Sequence, residues 1–219
     1  MTAQPPAWLT PGVHLAWLSR DIVTLNVKTD TYGLMTDAAH LVQPGPDRRI
    51  LAANADVLSA LVEAGLITLD VQDAITTPRA CLPEIALAPG ETARSPIGSR
   101  LAAAISALAA TAHFHRSSLH HLLQASQKPR RFWPQANRPP LAEAYSAFDA
   151  VSPWIPWEGQ CLQRAFLLRE HLLQCGHPAQ WILGVRTWPF LAHAWVQVGP
   201  CVVGDSLERV RTFNPILVV

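Results

Sequence analysis

Apolar and polar positions along the first seventy residues predict strands before helices. Residues 13–18 are mostly apolar, 22–27 alternate, and 31–34 form a third short run. Ser19-Arg20-Asp21 and Lys28-Thr29-Asp30 separate them, which predicts a three-stranded antiparallel meander. The period then changes. Val57, Leu58, Leu61 and Val62 fall on one helical face behind a cap at Asn54 or Asp56, and Gly65 stands where the helix can close left-handed. Residues 66–69 read as an extended exit. A further helix is expected over 34–42, ended by Gln43-Pro44-Gly45-Pro46. His14 and His40 stand alone, so the segment reads as a binding module. Its last strand would offer a free edge to an extended peptide.

From 71 to 100 the pattern is lost among Pro78, Pro83, Pro89 and Pro96, which predicts a connector. Helical spacing returns with Leu101, Ile105, Leu108 and Ala112, then Leu119, Leu122 and Leu123, then Tyr145 and Phe148 within 141–151. A helix over 160–175 carries Leu162, Ala165, Phe166, Arg169, Leu172 and Leu173. It is closed by Gly176 and barred from continuing by Pro178. Strands are expected at 180–185, 192–198 and 201–205, the last two joined at Gly199-Pro200.

Composition narrows this α+β picture. The chain is 49% hydrophobic and 15% charged with a net charge of +1, a globular balance with no electrostatic case for nucleic acid or an anionic membrane. The N-terminus lacks a basic and apolar signal pattern, and no uninterrupted apolar run reaches the ~18 residues a membrane span needs. A cytoplasmic protein with reduced cysteines is expected. His113, His115, His120 and His121 cluster without HExxH or CxxC spacing, so no metal site is assigned. The basic, aromatic run at 128–134 reads as a loop.

The chemistry gathers in the last sixty residues. Cys161 falls in the first turn of the 160–175 helix, where free N–H groups and the positive dipole end favour a thiolate. His193 lies on the second strand and Asp205 on the third, each six residues from Gly199. An antiparallel hairpin would set the carboxylate opposite the imidazole, and the imidazole beside the thiol. Cys175 and Cys201 lack this setting. Gln160, Trp157 and Ser152 are candidate oxyanion donors.

Cys161-Leu162-x-Arg164-Ala165, Ala192-His193-Ala194-Trp195-Val196 and Val203-Gly204-Asp205 resemble the transglutaminase-like peptidase domain of the lasso-peptide B proteins. The first seventy residues resemble the PqqD-like leader-recognition element that precedes this peptidase in fused members. The resemblance implies a winged-helix-like module of three strands and three helices over 1–75, a Pro-rich linker over 76–98, and a papain-like domain over 99–219. That domain would have helices first and an antiparallel sheet last. It further implies a leader peptide bound at Asp30, Thr31, Tyr32 and Gly33 and against Val57, Leu58 and Leu61. Cys161, His193 and Asp205 would cleave it. The partner would be an asparagine-synthetase-like macrolactam synthetase, through which any ATP dependence would come, since this chain carries no nucleotide motif. No cofactor is implied. An acyl transferase on the same three residues is the alternative.

Overall fold

The computed structural model describes residues 5–46, 48–70, 80–87, 95–126, 138–155 and 161–219. The chain divides into two compact units, 1–78 and 79–219.

The first unit runs β1 (Ala7–Leu9), β2 (Val13–Leu18), β3 (Asp21–Asn26), β4 (Thr31–Met35), β5 (Val42–Pro44), β6 (Arg49–Ala52), α1 (Ala55–Glu63) and β7 (Ile67–Thr68). Strands β2, β3 and β4 form the expected meander, and a second antiparallel sheet has the order β5-β6-β1-β7. Strand β3 is the centre of the meander, with Ile22, Val23 and Leu25 fully buried. Val13, Leu15 and Ile22 share a core with Ile50 of the second sheet and with Leu58 and Leu61 of α1. Asn54 caps α1, its Oδ1 accepting from the Val57 N–H at 2.9 Å, and Gly65 closes it at φ +67°.

Two expectations fail here. The helix over 34–42 is absent because Leu34 and Met35 continue the β4 ladder opposite Val23 and Ile22. Asp37 then turns left-handed at φ +55°, its N–H held by the Asp21 carboxylate at 2.9 Å and its own carboxylate by Arg20 at 3.0 Å. The three helices expected in this module are also not seen among its described residues. The described residues of this unit contain one helix, α1, and the Pro44-Gly45-Pro46 stretch serves the β5–β6 hairpin instead.

The second unit contains β8 (Ile85–Leu87), α2 (Ile97–Arg116), α3 (Leu119–Ser126), α4 (Leu141–Val151), α5 (Cys161–Gln174), β9 (Gln180–Arg186), β10 (Leu191–Val198), β11 (Cys201–Val203), α6 (Leu207–Val210) and β12 (Asn214–Val218). A tight 3-10 turn, Ser152–Trp154, follows α4. The sheet order is β12-β9-β10-β11-β8, antiparallel except for the β11–β8 pair. Strand β8 lies within the 76–98 stretch read as a linker, so part of that stretch belongs to the sheet. Helix α5 packs against α2, α4, β9 and β10. It is therefore buried all round from Ala165 to Leu173 rather than on one stripe, and it pairs Arg169 with Glu170 internally at 3.0 Å. Helix α2 is long and apolar enough to cross a membrane by length and composition, with mean hydropathy 1.2. It holds no long uninterrupted apolar run, because serine, threonine, histidine and arginine are scattered through it. One of its faces, with Ala103, Ala107 and Ala110, is buried, and the helix packs on α4 and α5.

Candidate active site

Three of the residues singled out in the sequence converge. Cys161 opens α5, His193 lies in β10, and Asp205 follows the end of β11. His193 Nε2 and Asp205 Oδ2 are 2.5 Å apart, and the second carboxylate oxygen accepts from the Ser206 N–H at 2.8 Å. The Cys161 thiol shares a cavity with His193 and has its pKa lowered by the imidazole. With Nε2 given to Asp205, Nδ1 is the ring nitrogen left for the thiol. All three residues line one open cavity of about 440 Å³.

The electrostatics match this geometry. The hydrogen bond with His193 is the chief cause that lowers the Cys161 pKa; burial opposes it, and the N–H groups of Ala194 and Leu162 reinforce it. Burial alone would lower the His193 pKa, but hydrogen bonds to Asp205 and Cys161, with their charges, outweigh it and raise it. Burial likewise works against the Asp205 carboxylate, yet the His193 and Ser206 hydrogen bonds bring its pKa down. Each shift favours a thiolate–imidazolium pair backed by a carboxylate.

How Asp205 reaches His193 differs from the simple hairpin. The ladder pairs Val196 with Val203, one step off the symmetric register. Carried onward, that register would put Asp205 opposite Ala194, on the face away from His193. Strand β11 instead stops at Val203, and Gly204 adopts φ +76°. This left-handed step turns Asp205 toward the imidazole.

Pattern reading also missed what holds the ring. His193 stacks on Trp195, with centroids 6.1 Å apart, and packs against Phe213 at 5.2 Å. Gly184 stands opposite His193 in β9, and a Cβ there would come within 2.6 Å of the Trp195 ring. An isolated glycine inside a strand is the signal that could have revealed this close approach.

The residues assigned to leader binding are split. Thr31, Tyr32 and Gly33 lie on β4, an exposed strand that ends the β2-β3-β4 sheet among the described residues, and Asp30 occupies the preceding turn at φ +52°. Leu58 and Leu61 are instead 8% and 5% exposed in the core, with Val57 packed against it. The face of α1 that the sequence offered as a binding surface is the face that folds the unit. Trp157 and Gln160 lie outside the described residues, as does the 128–134 run. Ser152 is buried in the 3-10 turn. Of the clustered histidines, His121 bonds the Ser118 hydroxyl at 3.1 Å, His120 bonds Gln124 at 3.0 Å, and His113 packs on Phe166.

Residues 102–218 match the model of a family described as the transglutaminase-like superfamily. The chain belongs to that family. It is also similar to the microcin J25-processing protein McjB of Escherichia coli, at 21% identity over 85% of this chain and 88% of the relative. No solved structure matches it.

Proposed function

We propose that this protein is a cysteine peptidase that removes the leader from a ribosomally made lasso-peptide precursor. The observation that carries the reading is Cys161 lining one open cavity with His193, itself held by Asp205, so that the imidazole lowers the thiol's pKa. The similarity to a protein named for processing a peptide supports the choice of substrate.

In this mechanism the Cys161 thiolate attacks the scissile carbonyl carbon. The His193 imidazolium gives its proton to the departing amine, leaving the leader as a thioester on Cys161. His193 then takes a proton from water as it attacks the thioester, and the leader departs with a free carboxylate. Asp205 keeps the imidazole oriented and offsets its charge. The N-terminal end of α5 favours negative charge at the sulfur throughout. The leader would add as a strand along β4, through Thr31, Tyr32 and Gly33, with Asp30 at its end. The freed amine would pass to a partner synthetase that closes the ring, and any ATP requirement would belong to that partner.

Mass spectrometry of a precursor incubated with the protein tests this. Two products, with a free carboxylate on the leader and a free amine on the core, are expected. A leader recovered as an amide in the presence of added amine would mark an acyl transferase instead. Removal of residues 1–78 should weaken leader binding, and unchanged processing of the full-length precursor would overturn the role given to β4.

A further inference from the structure

Arg164 lies one helical turn beyond Cys161 and lines the same cavity, yet it is not a member of the Cys-His-Asp set. Its guanidinium makes two contacts of different kinds. Nη1 donates to the Gly204 carbonyl at 3.0 Å, and Nη2 pairs with the Asp149 carboxylate of α4 at 3.5 Å. The Tyr145 hydroxyl donates to that same carboxylate at 3.4 Å, and its ring is fully buried. Gly204 is the left-handed residue that turns Asp205 out of the ladder, and its Cα faces Leu168 and Tyr145 closely enough that a Cβ would meet them at 3.1 and 3.2 Å.

We propose that Arg164 is the positioning residue of this site: by clamping the Gly204 carbonyl to α4, it fixes the backbone turn that presents Asp205 to His193. A planar guanidinium suits the task because its fork reaches a carbonyl and a carboxylate at once, whereas an ammonium is a single point charge. The proposal rests on the reading of Cys161, His193 and Asp205 as one reactive unit. The charged and titratable groups around the clamp are Asp149 and Tyr145 from α4, Arg209 from α6, and His193 with Asp205 themselves.

The test is the rate of Cys161 alkylation by iodoacetamide against pH on the full chain, located by peptide mass mapping so that the other three cysteines do not confuse it. This readout follows the thiolate and needs no peptide substrate. In Arg164→Met the profile should move toward higher pH, in the direction of Asp205→Asn, with alkylation near pH 6 slowed about tenfold for one pKa unit. Arg164→Lys should recover part of the loss. A folded Arg164→Met variant with the wild-type profile, beside an Asp205→Asn variant that is shifted, overturns the proposal. An unshifted Asp205→Asn overturns the underlying triad reading and the proposal with it. If Arg164→Met does not fold, Asp149→Asn decides: it loosens the guanidinium, so a smaller shift in the same direction is expected and none overturns the idea. Failure to cleave a lasso precursor, with these shifts intact, would sink the substrate assignment and leave Arg164 in its role.

Discussion

The two ends of α5 each carry a cysteine beside a histidine, and the two pairs behave oppositely. At the N-terminal end, Cys161 meets His193, and its pKa is lowered. Just past the C-terminal end, Cys175 Sγ lies 3.6 Å from His171 Nε2, and burial, with the charge of Glu143, pushes its pKa up to about 11. His171 gives Nε2 to the Ala144 carbonyl at 3.0 Å, and burial lowers its pKa. Proximity of thiol and imidazole is therefore not enough. What sets Cys161 apart is the Asp205 carboxylate on the neighbouring imidazole and its place at the N-terminal end of α5; among the described residues Cys175 has neither.

Cys161→Ala should abolish processing, by more than about 10⁴-fold, with leader binding retained. Cys175→Ala should leave the rate within about twofold. Peptide turnover followed by chromatography checks both, and a large loss in the second variant would erase the distinction between the two ends. Asp205→Asn should follow at about 10³-fold, since the imidazole loses the partner that fixes its tautomer and charge.

The contrast was legible in the sequence as far as helix ends reach. Cys161 in the first turn and Gly176 after the last were readable from capping and spacing. The convergence of His193 and Asp205 followed from a short turn between two alternating runs. What pattern could not supply is register. A one-residue offset in the β10–β11 ladder sends Asp205 to the wrong face, and only the φ of Gly204 restores it. Leu58 and Leu61 show a related limit: an apolar helical stripe looks the same whether it meets a ligand or its own core. Strand β12 escaped notice because Pro215 interrupts a short terminal apolar run whose pairing with β9 is long-range.

Differential labelling sharpens the comparison directly. At neutral pH, Cys161 should be alkylated much faster than Cys175, because the pKa of the first thiol is lowered and that of the second is pushed up to about 11, and the thiolate is the reacting form. Raising the pH toward 11 should close the gap. Processing itself should be bell-shaped in pH. It falls on the acid side as the thiolate is protonated and on the alkaline side as the imidazolium loses its proton.

Gly204→Ala should be milder than loss of any of the three side chains. The new Cβ would sit at 3.1 Å from Leu168 and 3.2 Å from Tyr145 with φ still positive, a strain of about 1–3 kcal/mol. If the turn relaxes instead, Asp205 swings away, and turnover should drop about tenfold or more while the melting temperature recovers. Either result places Gly204 in the geometry; an unchanged rate with unchanged stability would remove it.

The last difference between the two ends lies in how pH affects stability. His193 has a raised pKa in the folded protein, so its contribution is fully present below the unfolded value near 6.5 and is lost as pH rises through the folded value. His171 has a lowered pKa, so its contribution is present above about 6.5 and is lost as pH falls through the folded value. The two losses thus fall in different windows, one above and one below about pH 6.5, so on their account the wild-type melting temperature should be highest near that pH and decline on both sides. Replacing His193 by Gln should leave the His171 trend exposed, with stability falling toward acid by a few degrees. Replacing His171 by Gln should expose the reverse, a fall toward alkali. Melting curves at unit pH steps separate these outcomes, and parallel pH profiles in the two variants would show that the ends of α5 do not differ in the way their hydrogen bonds imply.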